Sequence, residues 1–144
     1  MDVGDILFKK GASVITAPPD TTVQAAARIM TENKIGLLLI CSQPGRLVGW
    51  LSERDIVGIL SDSTGDLSQV TVESVIHQDF PTCAPQDHPR DILDIMHSQG
   101  YRYMPVIEYG KLKGLVSSRD ILKFLVEESD AGEDSSVWAA SDFL

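Results

Sequence analysis

Aromatic residues are scarce in this chain, at 6% of 144 residues, so its core must be aliphatic. No apolar run approaches the ~20 residues that a membrane-spanning helix needs, which argues against a membrane partner. Clustered Lys and Arg are also missing. Twelve basic residues stand against 21 acidic ones, for a net charge of -9. Neutralising a nucleic-acid backbone takes grouped cations, so no nucleic-acid partner is expected. An acidic surface still leaves room for a small anionic ligand in a local pocket. The two cysteines, Cys41 and Cys83, form no C-x-x-C pair. They read as small buried hydrophobes in a reducing compartment. His77, His88 and His97 are scattered, with no zinc or haem spacing among them and the cysteines. No metal and no resident cofactor are expected. No nucleophile–base motif is present either, so an enzyme is not expected. Met1 to Lys10 lacks the long apolar segment of a secretory signal, and the cytoplasm is the expected location.

What the chain does have is a string that occurs twice. Gly49-Trp50-Leu51-Ser52-Glu53-Arg54-Asp55-Ile56 returns as Gly114-Leu115-Val116-Ser117-Ser118-Arg119-Asp120-Ile121, 65 positions later. Repetition at one spacing marks a duplicated structural unit.

The surrounding pattern repeats as well. Val3, Ile6 and Leu7 give an amphipathic leading helix that Gly11 ends. Val14-Ile15 is a short strand, and Pro18-Pro19 breaks it. Thr21 is placed to cap a helix with apolar residues Val23, Ala26, Ala27 and Met30, and Asn33-Lys34 stops it. Leu37 to Cys41 and Leu47 to Leu51 are strands about the turn Gln43-Pro44-Gly45, and Ser52 opens the next helix. In the second half Val70 to Ile76 matches the leading helix and Phe80 to Cys83 the short strand. Asp87 is placed to cap, and Ile92, Ile95 and Met96 form a helical face. Tyr103 to Ile107 and Leu112 to Val116 are strands, and Ser117 opens the last helix. The expected organisation is repeat 1 with its leading helix over 1–62, a linker over 63–69, repeat 2 over 70–127 and an acidic C-terminal tail over 128–144. The expected fold class is α/β (α+β), two β-α-β-β-α repeats packed with pseudo-twofold symmetry, because about 60 residues bury too little surface to stand alone. Val137, Trp138, Phe143 and Leu144 give the tail an apolar end for docking, on a neighbouring subunit for example.

Ser-x-x-Asp at a helix start is, taken alone, a capping box. Three features argue for more. A glycine stands three positions before each serine. The strand-to-helix order exposes amides and the positive end of a helix dipole, a place for phosphate. An aspartate in the first turn can accept bonds from two ribose hydroxyls.

Residues 1 to about 127 resemble a tandem pair of CBS domains, a Bateman module of the stand-alone kind. The resemblance rests on Val14 to Val23, Met30, Leu37 to Cys41, Leu47 to Ile56, Tyr103 to Ile107 and Leu112 to Ile121. It implies two clefts between the repeats, a disc-shaped homodimer, and a regulatory sensor binding AMP, ADP, ATP or S-adenosylmethionine without catalysis. It also implies an effector protein that the sequence does not identify. One cleft would join Ser117 and Asp120 to Ser13, Val14, Ile15, Gly36 and Leu37. The other would join Ser52 and Asp55 to Asp79, Phe80, Arg102 and Tyr103. In this chain Leu39 stands where the second repeat has Pro105, and Pro81 stands where the first has Ile15. Arg102 and Tyr103 are bulky where Gly36 and Leu37 are small. The clefts are therefore expected to be unequal, with that of Ser117 and Asp120 the roomier. The alternative is a structural, protein-interaction dimerisation module in which serine and aspartate only cap helices.

Overall fold

The computed structural model describes residues 1–62 and 66–129. In chain order the elements are α1 (Val3–Lys10), β1 (Thr16–Ala17), α2 (Val23–Asn33), β2 (Leu37–Ser42), β3 (Arg46–Ser52), α3 (Glu53–Asp62), α4 (Pro89–Gln99), β4 (Tyr103–Glu108), β5 (Lys111–Ser117) and α5 (Ser118–Ser129). Two single-turn 3₁₀ helices, Leu67–Gln69 and Val72–Ser74, lie between α3 and α4. The fold is mixed α/β, with two small sheets. The tail residues Val137, Trp138, Phe143 and Leu144 lie outside the described residues.

The chain divides into two compact units, and the division does not follow sequence order. One unit is Val14–Phe80. The other combines Met1–Ser13 with the chain from Pro81 onward. The leading helix α1 thus precedes the first repeat in sequence but packs with β5 and α5 of the second. Asp2 and Asp5 close a capping box at its start, and Gly11, at φ 90°, ends it. Its backbone is tied down by Val3 N–H to Asp87 O at 3.0 Å and Gly4 N–H to Pro85 O at 2.8 Å. Its buried face, Val3, Ile6 and Leu7, joins a core with Leu93, Met96, Met104, Val106, Val116, Ile121 and Phe124. Sealing these apolar side chains from water is the main source of stability in this unit.

The unit Val14–Phe80 mirrors this arrangement with its own core: Val23, Ala26, Met30, Leu38, Ile40, Leu51, Ile56 and Val72. Its sheet runs β1-β2-β3, with β1 and β2 parallel and β2 and β3 antiparallel. Leu37 to Ile40 are all buried, as a continuous apolar strand should be. The other sheet is β4-β5 alone. The expected strand Phe80 to Cys83 is reduced to a single parallel bridge from Cys83 to Val106. Pro81, having no N–H, cannot extend that ladder.

Local expectations shift in three further places. The α2 cap is Thr22, whose hydroxyl accepts from Ala25 N–H at 3.0 Å, and not Thr21. His88 caps α4 through Nδ1, while Asp87 accepts from Ala84 N–H in the preceding turn. Pro89 then occupies the first helical turn, where its missing N–H costs nothing. The segment Val70 to Ile76 forms one 3₁₀ turn, not a helix like α1. Its run Val70-Thr71-Val72 is β-branched and weakly helix-forming. The second hairpin, between β4 and β5, has a tight turn. Tyr109 and Gly110, at φ 52° and 75°, make a two-residue turn that fits the strand twist.

Candidate functional site

Both copies of the repeated string sit where a strand passes into a helix, and each is a closed capping box. Ser52 N–H donates to Asp55 Oδ2 at 2.8 Å, and Asp55 N–H donates to Ser52 Oγ at 3.0 Å. Ser117 N–H donates to Asp120 Oδ2 at 2.9 Å, and Asp120 N–H donates to Ser117 Oγ at 3.0 Å. The next amide is also taken. Glu53 N–H reaches Gly36 O, and Ser118 N–H reaches Arg102 O, both at 2.9 Å. The helix starts were expected to be open for a phosphate. Three of the amides that would serve one are instead already committed in each copy. Each serine hydroxyl accepts one bond and keeps its own proton to donate.

The glycine of each copy has a structural reason. A Cβ at Gly114 would lie 2.7 Å from Leu7 Cδ2, and one at Gly49 would lie 2.6 Å from the His77 carbonyl oxygen and 2.8 Å from Ile76 Cδ1. The strand ladders shift register just before both glycines, at Ile40/Cys41 and Val106/Ile107, and such an irregularity bends a strand locally. The glycine was counted among the features that argue for more than a cap. It makes room instead for an aliphatic side chain from the leading segment of the other repeat.

Those leading segments also bring a basic side chain to each box, Lys10 to one and His77 to the other, which the sequence reading missed. Lys10 Nζ donates to Asp120 Oδ2 at 2.6 Å and to Leu115 O at 2.9 Å. His77 Nε2 lies 2.8 Å from Asp55 Oδ1, and His77 exchanges two 3.0 Å backbone bonds with Trp50. Trp50 and Leu115 hold the same place in the repeated string, so the Lys10 ammonium occupies the role that a backbone bridge fills in the other unit. Trp50 is further covered by Phe80, their rings stacked with centroids 4.2 Å apart. The signal in sequence was weak. A lysine ending α1 and a histidine after a 3₁₀ turn share no motif.

Burial alone would raise both carboxyls. At Asp120 the Lys10 and Ser117 hydrogen bonds and the Lys10 charge outweigh it, and the carboxyl is held below its ordinary value. At Asp55 the Ser52 amide, His77 and the Ser52 hydroxyl do the same. The two carboxylates are not equally occupied. Both oxygens of Asp55 have partners. Among the described residues, Asp120 receives its bonds on Oδ2, and Oδ1 accepts none.

The expected binding residues distribute between the units. Val14, Ile15, Gly36, Leu37, Ser52, Asp55, Asp79 and Phe80 belong to one, and Ser13, Arg102, Tyr103, Ser117 and Asp120 to the other. Within the first, Leu37 pairs with Ser52, and within the second, Tyr103 pairs with Ser117. Gly36 and Arg102 therefore each back their own box through a carbonyl. Arg54 and Arg119 are exposed. Among the described residues no group of His, Cys, Asp and Glu is placed to hold a metal ion, and no helix is long and apolar enough to cross a membrane. Cys83 is buried, and desolvation with the nearby Asp87 charge pushes its thiol up to about 12, far from a reactive thiolate.

The CBS domain family model matches residues 3–62 and again 72–127. An uncharacterized 17.7 kDa protein of Acidianus ambivalens is 35% identical over 115 residues, covering 79% of this chain and 68% of that one. The crystal structure of the CBS-domain containing protein ATU1752 from Agrobacterium tumefaciens superposes with a TM-score of 0.77 at 28% identity, over 87% of this chain and 99% of that one. The CBS domain pair of protein MJ0100, crystallised with 5′-methylthioadenosine and S-adenosyl-L-methionine, superposes with a TM-score of 0.74 at 25% identity, over 89% of this chain and 98% of that one.

Proposed function

The chain belongs to the CBS domain family, and from that premise we propose that it is a non-catalytic regulatory module binding an adenosine-containing ligand. The observation that carries this reading is the Asp120 box. Its carboxylate is ionised, keeps Oδ1 for a ribose hydroxyl, and lies beside a serine whose hydroxyl has a proton to donate. The complex of protein MJ0100 with two adenosine derivatives supports the same ligand class. Asp120 and Ser117 are the first pair to test, because both oxygens of Asp55 are engaged. We further propose that Ser13, Val14, Ile15, Gly36 and Leu37 serve the Asp120 site, and that Asp79, Phe80, Arg102 and Tyr103 serve the Asp55 site. Val57 and Leu60 on α3, at 64% and 55% exposure, support a homodimer. Sedimentation of a Val57→Glu/Leu60→Glu variant as a monomer, where the parent chain is a dimer, tests that part.

Isothermal titration with AMP, ADP, ATP and S-adenosylmethionine tests the function. Protein that is folded and stripped of ligand yet gives no heat with any of them refutes it. The completed capping boxes favour a second reading, a structural module in which these residues only hold helices. Asp120→Asn separates the two. Asparagine keeps an acceptor for the Ser117 amide but removes the charge and one acceptor oxygen. Ligand binding predicts an affinity loss of about 1–3 kcal/mol. A variant with unchanged affinity makes Asp120 a cap alone.

A further inference from the structure

Asp130 to Leu144 lie outside the described residues and beyond the family match, which ends at residue 127. Their composition differs from the rest of the chain. Asp130, Glu133, Asp134 and Asp142 are acidic, no residue is basic, and Val137, Trp138, Phe143 and Leu144 are large and apolar. The residues before this segment are themselves acidic, 17 carboxylates against 12 cations, so most of that surface repels it. One place on its own unit suits it. A cavity of about 260 Å³ lies between α1 and α5, lined by Lys9, Lys10, Lys123, Asp120, Glu127 and the buried Phe124. Three ammonium groups there face two carboxylates. Lys10 is engaged by Asp120, Lys9 stands 4.0 Å from Glu127, and Lys123 has no ion pair among the described residues. Whole small-molecule pockets run to about 300–1,000 Å³, so a cavity of this size suits one large side chain.

We propose that the acidic tail docks on its own chain, with the Trp138 indole in the α1–α5 cavity and Glu133 and Asp134 on Lys9 and Lys123. Charge complementarity and chain length both select this occupant. The helix α5 ends at Ser129, two residues past the cavity residue Glu127, about 3 Å along the axis. Asp130 to Val137 separate that end from Trp138. A coil of this length spans about 16 Å on average, so the indole reaches the cavity without strain. So short a tether sets an effective concentration in the millimolar range, and a contact of only millimolar strength then holds the tail about half the time. The cavity offers an indole what water does not. Phe124 supplies an aromatic floor, and Lys9, 5.6 Å from that ring, supplies a cation for a second π face. This docking needs no ligand at Asp120, because Lys10, and neither Lys9 nor Lys123, holds that carboxylate.

The test is fluorine NMR of the full chain labelled with 5-fluorotryptophan, whose probes are Trp50 and Trp138. Trp50 lies in the other compact unit, stacked on Phe80, and its line reports that the fold is intact. The Trp138 line is compared in the parent, in Lys9→Ala/Lys123→Ala, and in Glu133→Gln/Asp134→Asn, which leaves the described residues untouched. Lys111→Ala/Lys113→Ala, on exposed β5 positions, is the control of equal charge change. Docking displaces the parent's Trp138 line from its position in urea. The ratio of docked to free tail should fall about tenfold in both charge variants, fall again in about 0.5 M salt, and stay unchanged in the control. A parent Trp138 line at its urea position, or one that either charge variant leaves in place while the Trp50 line is unchanged, overturns the proposal. Mixing distinguishes one copy from two. Labelled Lys9→Ala/Lys123→Ala chain is refolded with excess unlabelled Trp138→Ala chain, and its Trp138 line should stay at the free position. Return to the docked position means that the tail docks on a second copy, and overturns docking on its own chain.

Discussion

Gly49→Ala and Gly114→Ala put the same methyl at the same place in the two repeats, yet they should differ in cost. At Gly114 the new Cβ meets Leu7 Cδ2 at 2.7 Å and Cδ1 at 3.0 Å, the far end of a side chain that can rotate away. Overpacking of this kind costs about 1 kcal/mol when the neighbour yields. At Gly49 the first obstacle is the His77 carbonyl oxygen, at 2.6 Å. That peptide is pinned by two 3.0 Å backbone bonds to Trp50 and cannot move without breaking them. Adding methyl strain to a weakened bridge gives a cost of about 3 kcal/mol. Reduced freedom of the unfolded chain offsets at most about 1 kcal/mol in either variant. The assay is urea unfolding at equilibrium, with a companion series that removes the neighbour. Leu7→Ala, itself costly because Leu7 is buried, should rescue Gly114→Ala, so that the double variant is more stable than the sum by about 1 kcal/mol. Ile76→Ala should not rescue Gly49→Ala, because the carbonyl remains. Equal costs for the two glycines, or full rescue by Ile76→Ala, would refute the argument that a backbone group closes the first site and a side chain the second.

Lys10→Met should shift the acid limb of stability. Asp120 has a depressed pKa, so its contribution is present above its ordinary value and is lost as pH falls through the depressed one. Without Lys10 the depression shrinks, so the contribution above the ordinary value is smaller and its loss is complete at a higher pH, and superimposable melting curves from about pH 2 to 6 would contradict this. Iodoacetamide at about pH 8 should label the half-buried Cys41 before Cys83, whose thiol is pushed up to about 12; peptide mapping that finds equal rates would contradict it. Ser52→Ala should cost about 1 kcal/mol in urea unfolding through loss of its box with Asp55, and an unchanged midpoint would mean that the cap contributes nothing.

The parts of the fold written in the sequence are those set by local pattern. Leu37 to Cys41 is apolar at every position and of strand length, and it forms a strand whose first four residues are buried. Val23, Ala26 and Met30 fall on one helical face, and Gly11, at positive φ, ends α1. Errors came where two neighbouring residues compete for one role. Thr21 and Thr22 both carry a capping hydroxyl, and Asp87 and His88 both carry an acceptor. Which of the two caps is set by where the helical backbone begins, a shift of one residue that pattern does not resolve. The partnering of α1 was not legible. A helix that precedes one repeat and packs on the other reveals this only through contacts distant in sequence, Leu7 with Gly114 and Lys10 with Asp120.

These distant contacts change where specificity should be sought. The repeated string invites a comparison of its own two copies. Its glycines are fixed by close packing, its serines and aspartates by the cap, and Ile56 and Ile121 by burial. A string whose positions are held by folding has little freedom to encode a ligand. It also holds the two boxes to nearly the same geometry. The difference between them lies in what the leading segments deliver. Lys10, with Lys9 beside it, brings a fixed positive charge to a carboxylate with one open oxygen. His77 brings a ring that is charged only when protonated, and it occupies the oxygen that Asp120 leaves open. Transplanting that difference is a direct test of the argument. Lys10→His should weaken phosphate-bearing ligands at the Asp120 site, most strongly at high pH, where the imidazole is neutral. Ligand preference that follows the eight-residue string and ignores residues 9 and 10 would place specificity back in the motif.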